Sequence, residues 1–590
     1  MKELSDESVR LVNVSVGTLH KYMQRPRLRT REPFLTYVRK WVILSTVLGL
    51  ATGIIVALFD FVANLTLWTN VSALFSANYL LIFPALLSGF LLSAFLLSRS
   101  KTQINSGTEE VVEAYNNPDK RMDLRSFPLK MLAAAATIGL GGSTGQEGPS
   151  IYAGGVVGSW ISTKFGRLEL TDEDRRTLML AGAAAGIGAI FKAPLTGIIF
   201  GLEAPFKDDL AHNALVPSLL AAVASYLTLI SIDGSQPLFL FPGLSSSSLL
   251  PFGPSALDLV GSAVLGIIVG LAALGFIAVY KGTARLVNRV QGPLYYKGFI
   301  GACVLAAIGI SSVILFRKPY PLGISYDMVN LSLTPGISPV TLLMLFFMKL
   351  VATSFTLGTT GVGGVFIPQI VMGASVGGVF GELLFPSRVD LFVAVGMASF
   401  LAAGYKTPLA AVAFVAETTA GPAYLIPSLI AAAISYSISG GASVSDQQKL
   451  RDEIDITQIA HLKASDIMAK QVVAVPAELS VLDFVEEYLF VYQYKTFPVV
   501  DPQGLVGRIS LQEVKGIPRE KWFQTKISDI CSRDIHPCYT DAQVQEILDL
   551  MYSKGLGRIP IVDRANPRHI VGIISKNDII KALEKERLGK

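Results

Sequence analysis

An apolar run within Lys130–Ser150 ends in a glycine-rich turn, and Gly145-Gln146-Glu147-Gly148-Pro149 follows it. Proline is favoured in the first turn of a helix, where its missing N–H costs nothing. Glu147 therefore stands at a helix N-terminus, whose free amides and positive dipole end attract anions. A carboxylate tethered there occupies an anion site when ionised and leaves it when protonated, which is the chemistry of a gate. Gly364-Val365-Phe366-Ile367-Pro368 repeats the theme, with glycines exposing amides ahead of another proline. Asn105-Ser106-Gly107-Thr108-Glu109-Glu110 is a third polar helix start. Several helix N-termini without grouped carboxylates favour an anion as substrate; a cation pathway would want carbonyls or an acid cluster.

The elements that hold these motifs are apolar. Of 590 residues, 51% are hydrophobic and 16% charged, with mean hydropathy +0.50. Soluble proteins carry about 25% charged residues. The charges are also uneven: 13 fall in residues 1–40, 41 in 41–440 and 35 in 461–590. That pattern implies lipid around the long middle and water around the tail. Arg25, Arg27, Arg29, Arg31, Arg39 and Lys40 precede the first apolar stretch, and no signal-peptide core precedes them, so the positive-inside rule puts the N-terminus in the cytoplasm. The net charge of +5 is too small to argue for nucleic acid, and Cys303, Cys531 and Cys538 form no metal or disulfide framework.

Stretches long enough to cross a bilayer are 41–68, 78–98, 214–232, 257–280, 298–316, 341–357 and 424–438. Those at 131–142, 151–161, 182–190 and 392–403 read as too short or too glycine-rich. Half-length helices at membrane depth occur where protein buries them or where they line a cavity. The chain also echoes itself. Thr144-Gly-Gln-Glu-Gly148 returns as Thr360-Gly-Val-Gly-Gly364, and Lys192-Ala-Pro194-Leu195…Phe200…Glu203 returns as Lys406-Thr-Pro408-Leu409…Phe414…Glu417. Two echoes at nearly one spacing imply duplicated halves, about 41–235 and 255–440, of the kind that transporters often invert around a midplane site.

The tail holds a shorter repeat. Ala464-Ser-Asp-Ile-Met468 matches Ile527-Ser-Asp-Ile-Cys531, Phe497-Pro-Val-Val-Asp501 matches Ile559-Pro-Ile-Val-Asp563, and Val506-Gly507-Arg-Ile-Ser510 matches Val571-Gly572-Ile-Ile-Ser575. Each unit reads helix, strand, strand, helix. The pair resembles tandem CBS domains, the adenine-nucleotide-sensing module, at 463–523 and 524–585 after a linker at 441–462. That resemblance implies ribose and phosphate contacts from Ser575 and Asp578, with ATP, ADP or AMP as the candidate ligand. The first copy has Glu513 where the second has Asp578. A purely structural, dimerising role is the rival.

The membrane half resembles the CLC family of chloride channels and chloride/proton exchangers. The G(K/R)EGP motif appears as Gly145–Pro149, GxFxP as Gly364–Pro368, and GSGxP as Asn105–Glu109. The resemblance implies that Glu147 gates, that Ser106, Gly107, Gly148 and the Phe366 and Ile367 amides hold chloride, and that Lys130 makes the pore electropositive. It also implies a homodimer. Three departures stand out. Ala204 occupies the place of the exchangers' internal glutamate, one residue after Glu203; Ser445 replaces a tyrosine that caps the inner site; Gln146 replaces a cation beside the gate.

Each residue has a plainer rival. The glycines around Glu147 also suit close helix packing in lipid. Glu203 and Glu417 suit capping of backbone amides or pairing with a basic group, and Lys130 suits a snorkelling anchor. A cation transporter would need grouped acids, and an intramembrane metalloprotease would need H-E-x-x-H, which the five histidines do not provide.

The fold expected is an all-α polytopic membrane domain over 41–440, with broken or re-entrant helices, after a basic segment 1–40 and before a cytosolic α/β CBS pair. The function expected is not enzymatic: chloride transport gated by Glu147, with weak or no proton coupling. The alternative is a chloride/proton antiporter using Glu203 or water, and fluoride or another anion ranks below both. No metal or cofactor is required, and the residence expected is the cell membrane, with both termini cytoplasmic.

Overall fold

The computed structural model describes residues 38–101, 106–117, 120–164, 170–239, 241, 254–419, 422–450, 459, 462–492 and 494–588. Asn105, the arginines at 25, 27, 29 and 31, and residues 451–458, 460 and 461 of the expected 441–462 linker lie outside these. The chain divides into two compact units, Met1–Arg451 and Asp452–Lys590.

The first unit is helical throughout. Its first half runs α1 (Lys40–Ala77), α2 (Ile82–Arg99), α3 (Gly107–Asn116), α4 (Phe127–Gly139), α5 (Glu147–Lys164), α6 (Asp172–Ile190), α7 (Pro194–Glu203) and α8 (Leu215–Asp233). The second half repeats that order: α9 (Ala256–Asn288), α10 (Leu294–Phe316), α11 (Tyr326–Ser332), α12 (Pro339–Gly358), α13 (Phe366–Leu384), α14 (Val389–Tyr405), α15 (Pro408–Thr418) and α16 (Leu425–Ser439). Among the described residues, eight helices are long and apolar enough to cross a membrane. The chain is a multi-pass membrane protein.

Several expectations change in detail. The stretch 424–438, expected to cross, is a helix of 15 residues. The stretch 392–403, expected to be too short, lies inside an apolar helical span, Pro386–Tyr405. The glycine-rich stretches 151–161 and 182–190 lie within α5 and α6, continuous helices of 18 and 19 residues, and neither is among the eight spans, as expected. Their glycines serve packing. A Cβ on Gly154 would collide with the Gly182 carbonyl, and one on Gly373 with that of Gly396. The glycines that looked like helix breakers let α5 lie on α6, and α13 on α14, backbone to backbone.

Reciprocal contacts tie the halves together. Gly145 and Gly364 exchange both backbone hydrogen bonds, each at 3.0 Å. The Val362 amide donates to Thr137 Oγ1 at 3.1 Å, and the Ser143 amide to Thr356 Oγ1 at 3.0 Å. Glu203 at the end of α7 accepts from the Leu409 and Ala410 amides that open α15, at 3.1 and 2.8 Å. Glu417 near the end of α15 accepts from the Leu195 and Thr196 amides that open α7, at 2.9 and 2.7 Å. Each helix's C-terminal carboxylate thus caps the other's N-terminus, where the dipole welcomes it. Exchanges of this kind are what a two-fold relation between inverted halves produces. Lys192 and Lys406, both just ahead of these helices, share a left-handed backbone at φ 51 and 59°.

The second unit contains two three-stranded sheets of one design. β1 (Val475–Pro476) pairs parallel with β2 (Thr496–Asp501), which pairs antiparallel with β3 (Gly504–Ser510). β4 (Cys538–Tyr539), β5 (Arg558–Val562) and β6 (Ile570–Ser575) repeat this, down to a register shift at Ile561/Val562 matching that at Val499/Val500. The copies interlock: Ala469 bridges to Ile573, and Arg508 to Ser532. Burial pushes the Cys531 and Cys538 thiols up, which favours the inert thiol form.

Candidate functional site

The site forms where the two glycine loops cross. Pro149 and Pro368 sit in the first turns of α5 and α13, and the Gly145–Gly364 bridge holds those two helix starts against each other. Glu147, 1% exposed, reaches across the bridge, and its Oε1 accepts from the Phe366 amide at 2.6 Å. Its Oε2 has no hydrogen-bond partner among the described residues. The carboxylate of one half therefore sits on the helix N-terminus of the other, in a place that suits a small anion.

Phe366 is itself fixed by aromatic packing. Its ring lies 5.0 Å from Phe191, 5.4 Å from Phe200 and 5.1 Å from Phe414, centroid to centroid. Ile367 follows it as a fully buried residue of the same first turn. Ser106 and Gly107 approach from a third side. Gly107 is where α3 meets α5, since a Cβ there would collide with the Gly148 carbonyl and lie 2.6 Å from the Tyr152 Cβ. The Ser106 hydroxyl is buried without a partner among the described residues. Four candidate residues, Ser106, Gly107, Glu147 and Gly148, are thereby brought together with Phe366.

Lys130 is not a snorkelling anchor. It is 4% exposed, forms an ion pair with Glu110, and carries its ammonium 5.1 Å from the centre of the Tyr152 ring. Its charge is largely offset by that partner. Glu203 is engaged at the start of α15, away from the Glu147–Phe366 contact. Gln146 donates to Asp60 Oδ1 at 2.6 Å, so the residue in place of the cation is locked by a carboxylate on α1. In the tail, Ser575 and Asp578 do meet: the Ser575 amide and hydroxyl donate to Asp578 Oδ2 at 2.8 and 2.6 Å. They open the helix Lys576–Leu588, as Ser510 and Glu513 open Leu511–Lys515.

Two residues near the site escaped sequence reasoning. Lys349 is fully buried in α12 and donates to the Gly323 carbonyl at 3.0 Å and to Ser325 Oγ at 2.8 Å. Its charge acts on Glu147. The signal was present, as a lysine inside the apolar stretch 341–357. Tyr405, 1% exposed, packs its ring 5.2 Å from Phe200; nothing in its sequence neighbourhood marks it.

Residues 85–440 match the voltage gated chloride channel family, and residues 464–518 and 527–585 each match the CBS domain. The chain is 26% identical over 408 residues to the H(+)/Cl(-) exchange transporter ClcA of Salmonella arizonae, covering 66% of this chain and 83% of that one. An uncharacterized protein of Methanocaldococcus jannaschii is 28% identical over 334 residues, covering 57% of this chain and 79% of that one. Among solved structures, a slow cyanobacterial Cl-/H+ antiporter superposes with a TM-score of 0.59 at 24% identity, over 69% of this chain and 96% of that chain. A CLC-type fluoride/proton antiporter gives 0.60 at 24%, over 71% and 100%. A eukaryotic CLC transporter gives 0.58 at 19%, over 92% of this chain and 98% of that one, the tail included.

Proposed function

We propose, since this chain belongs to the voltage gated chloride channel family, that it carries chloride along a pathway gated by Glu147, with weak or no proton coupling. The observation that carries this is the hydrogen bond from the Phe366 amide to Glu147 Oε1, with no partner for Oε2 among the described residues. An ionised carboxylate held by one helix N-terminus competes with an anion for the same donor. The Ser106 hydroxyl, which has no partner among the described residues, and the Ile367 amide complete a chloride-binding set around it. Weak coupling is supported by Ala204, which cannot titrate, and by the capping role of Glu203. A chloride/proton antiporter is the second reading, favoured by the exchange activity in the ClcA relative's name.

The test is chloride flux from purified protein in liposomes, with a pH electrode reading protons. Chloride movement without protons supports the first reading; uphill proton pumping by a chloride gradient overturns it in favour of exchange. Under the first reading Glu203→Gln should leave chloride movement uncoupled from protons while lowering thermal stability by about 1–2 kcal/mol, because it weakens a charged cap. A changed proton-to-chloride ratio would make Glu203 a proton carrier.

The reading extends to assembly and placement. Pairs of chains, each with its own pathway, sit in the cell membrane with the N-terminus and tail in the cytoplasm. The apolar residues Leu195, Leu219, Leu409 and Leu429 are exposed on α7, α8, α15 and α16, where lipid or a second copy would cover them. The mass of the protein in detergent decides the pairing. In the tail, an adenine nucleotide bound through Ser575 and Asp578 is the proposed regulator. Asp578→Ala should weaken binding of ATP, ADP or AMP to the full chain by about tenfold, the loss of one charged hydrogen bond. Unchanged binding by calorimetry moves the ligand elsewhere, and it leaves Asp578 as a helix cap alone.

A further inference from the structure

Gln146, the residue before Glu147, turns its side-chain amide onto a carboxylate. Asp60 Oδ1 accepts from Gln146 Nε2 at 2.6 Å and from Asn64 Nδ2 at 3.2 Å. Two amide donors on one oxygen suit an ionised carboxylate, which only accepts. Neither donor carries a charge to offset it. Among the described residues Asp60 has no ion-pair partner, and the charges that act on it, Lys192 and Asp233, are paired with each other at 2.8 Å. Asp60 is half-buried, so its negative charge is neither neutralised by a partner nor fully dispersed in water.

One glutamine side chain and one peptide unit separate this carboxylate from Glu147, a distance on the order of 10 Å. The rise along α1 from Lys40 to Asp60 is about 30 Å, the depth of a bilayer core. With the N-terminus in the cytoplasm, Asp60 therefore lies toward the outer face. The α-helical winding of α1 ends at Asp60, and Phe61–Trp68 continues as a π-helix, a wider winding that recurs at functional sites. Asn64, in that stretch, also lines a cavity of about 400 Å³ together with Trp68, Ser325 and Tyr326. Asn64 thus links the cavity to Asp60, and Gln146 links Asp60 to the residue that gates.

We propose that Asp60 is an electrostatic brake on anion entry, a fixed negative charge at the outer mouth that slows chloride on its way to the Phe366 amide. The proposal rests on the pathway assigned above through Glu147 and adds a rate-determining charge to it. Repulsion between unit charges about 10 Å apart lowers the anion's local concentration by about twofold in a water-like medium and by about tenfold near a protein surface. Mobile ions screen a half-buried charge, so the brake weakens as ionic strength rises. Removing the Asp60 charge also changes the field at the gating carboxylate. The two effects separate in a Glu147→Gln background, where the gate carries no charge.

The experiment measures chloride uptake by the purified full chain in liposomes at one low chloride concentration. Gluconate salt on both sides raises the ionic strength from about 0.01 M to about 1 M, so the screening length falls from about 30 Å to about 3 Å. Asp60→Asn keeps an acceptor for both amides and removes the charge. In the Glu147→Gln background it should raise uptake by about twofold to tenfold at low salt, with the ratio falling to about one at high salt. Asp60→Glu keeps the charge and should give no such gain. A ratio of one or less for Asp60→Asn at low salt, a gain that salt leaves unchanged, or an equal gain from Asp60→Glu overturns the brake and leaves Asp60 as an anchor for Gln146. If Glu147→Gln alone changes neither flux nor its pH response, the Glu147 gate fails, while a salt-sensitive gain from Asp60→Asn keeps the brake. If Glu147→Gln behaves as a gate variant and Asp60→Asn gives no gain, the gate stands and the brake falls.

Discussion

Glu147→Gln is expected to raise chloride flux at neutral pH and to make it largely independent of external pH. The side chains are isosteric, so the buried slot between α5 and α13 needs no rearrangement. What changes is the strength of the contact. An ionised acceptor on the Phe366 amide is worth about 1.5–3 kcal/mol, whereas a neutral one is worth about 1 kcal/mol. The difference makes displacement by chloride easier by about tenfold. The sign with pH follows from the chemistry. Above its titration range the wild-type carboxylate is charged and competes with the anion; below it the carboxyl is neutral and the N-terminus is free. Glutamine imitates the acid state at every pH. Flux of radioactive chloride into right-side-out vesicles between pH 5 and 8 checks this, and a variant that still follows external pH would remove Glu147 from the gate.

The part of the site that a reader of the sequence can find is the part built from local rules. Gly-Glu-Gly-Pro and Gly-Val-Phe-Ile-Pro announce helix starts because glycine and proline restrict the backbone locally, and an acid beside them has an obvious partner in the helix dipole. The duplication was legible for the same reason, since both loops need the same residues. Contacts between the halves were not. That Glu203 caps α15 and Glu417 caps α7 depends on two helices meeting end to end, and a reading of either segment alone favours a cap or an ion pair without naming the partner, with a proton carrier at Glu203 as the alternative. Lys130 was placed in the right neighbourhood, but its pairing with Glu110 depends on how α3 lies on α4. The glycine stretches were legible in part. Neither α5 nor α6 is among the spans, as their glycine content implies, but that these glycines serve backbone-to-backbone packing within continuous helices depends on the fold.

Lys349→Met is expected to give the largest loss of transport among residues that do not touch the gate. The ammonium is fully buried and donates to the Gly323 carbonyl, to Ser325 Oγ and, at 3.4 Å, to the Pro321 carbonyl. Gly323 and Ser325 both have left-handed backbones, at φ 61 and 69°, and for serine that conformation costs about 1–2 kcal/mol. The lysine holds this turn, and Gly323 in turn donates to the Gly141 carbonyl at 3.2 Å, in the loop that carries Glu147. Methionine fills the volume but leaves buried acceptors unpaired, at about 1–3 kcal/mol each. It also removes a positive charge that acts on Glu147 and on any anion beside it. A chloride flux lowered by at least tenfold is the result to look for in liposomes, together with a lower thermal midpoint. Lys349→Arg separates the two causes, because it keeps the charge while disturbing the geometry. If arginine restores flux without restoring stability, the charge is what the pathway needs. If arginine and methionine lose flux equally, the lysine acts by holding the 321–325 turn, and the field along the pathway comes from helix N-termini alone.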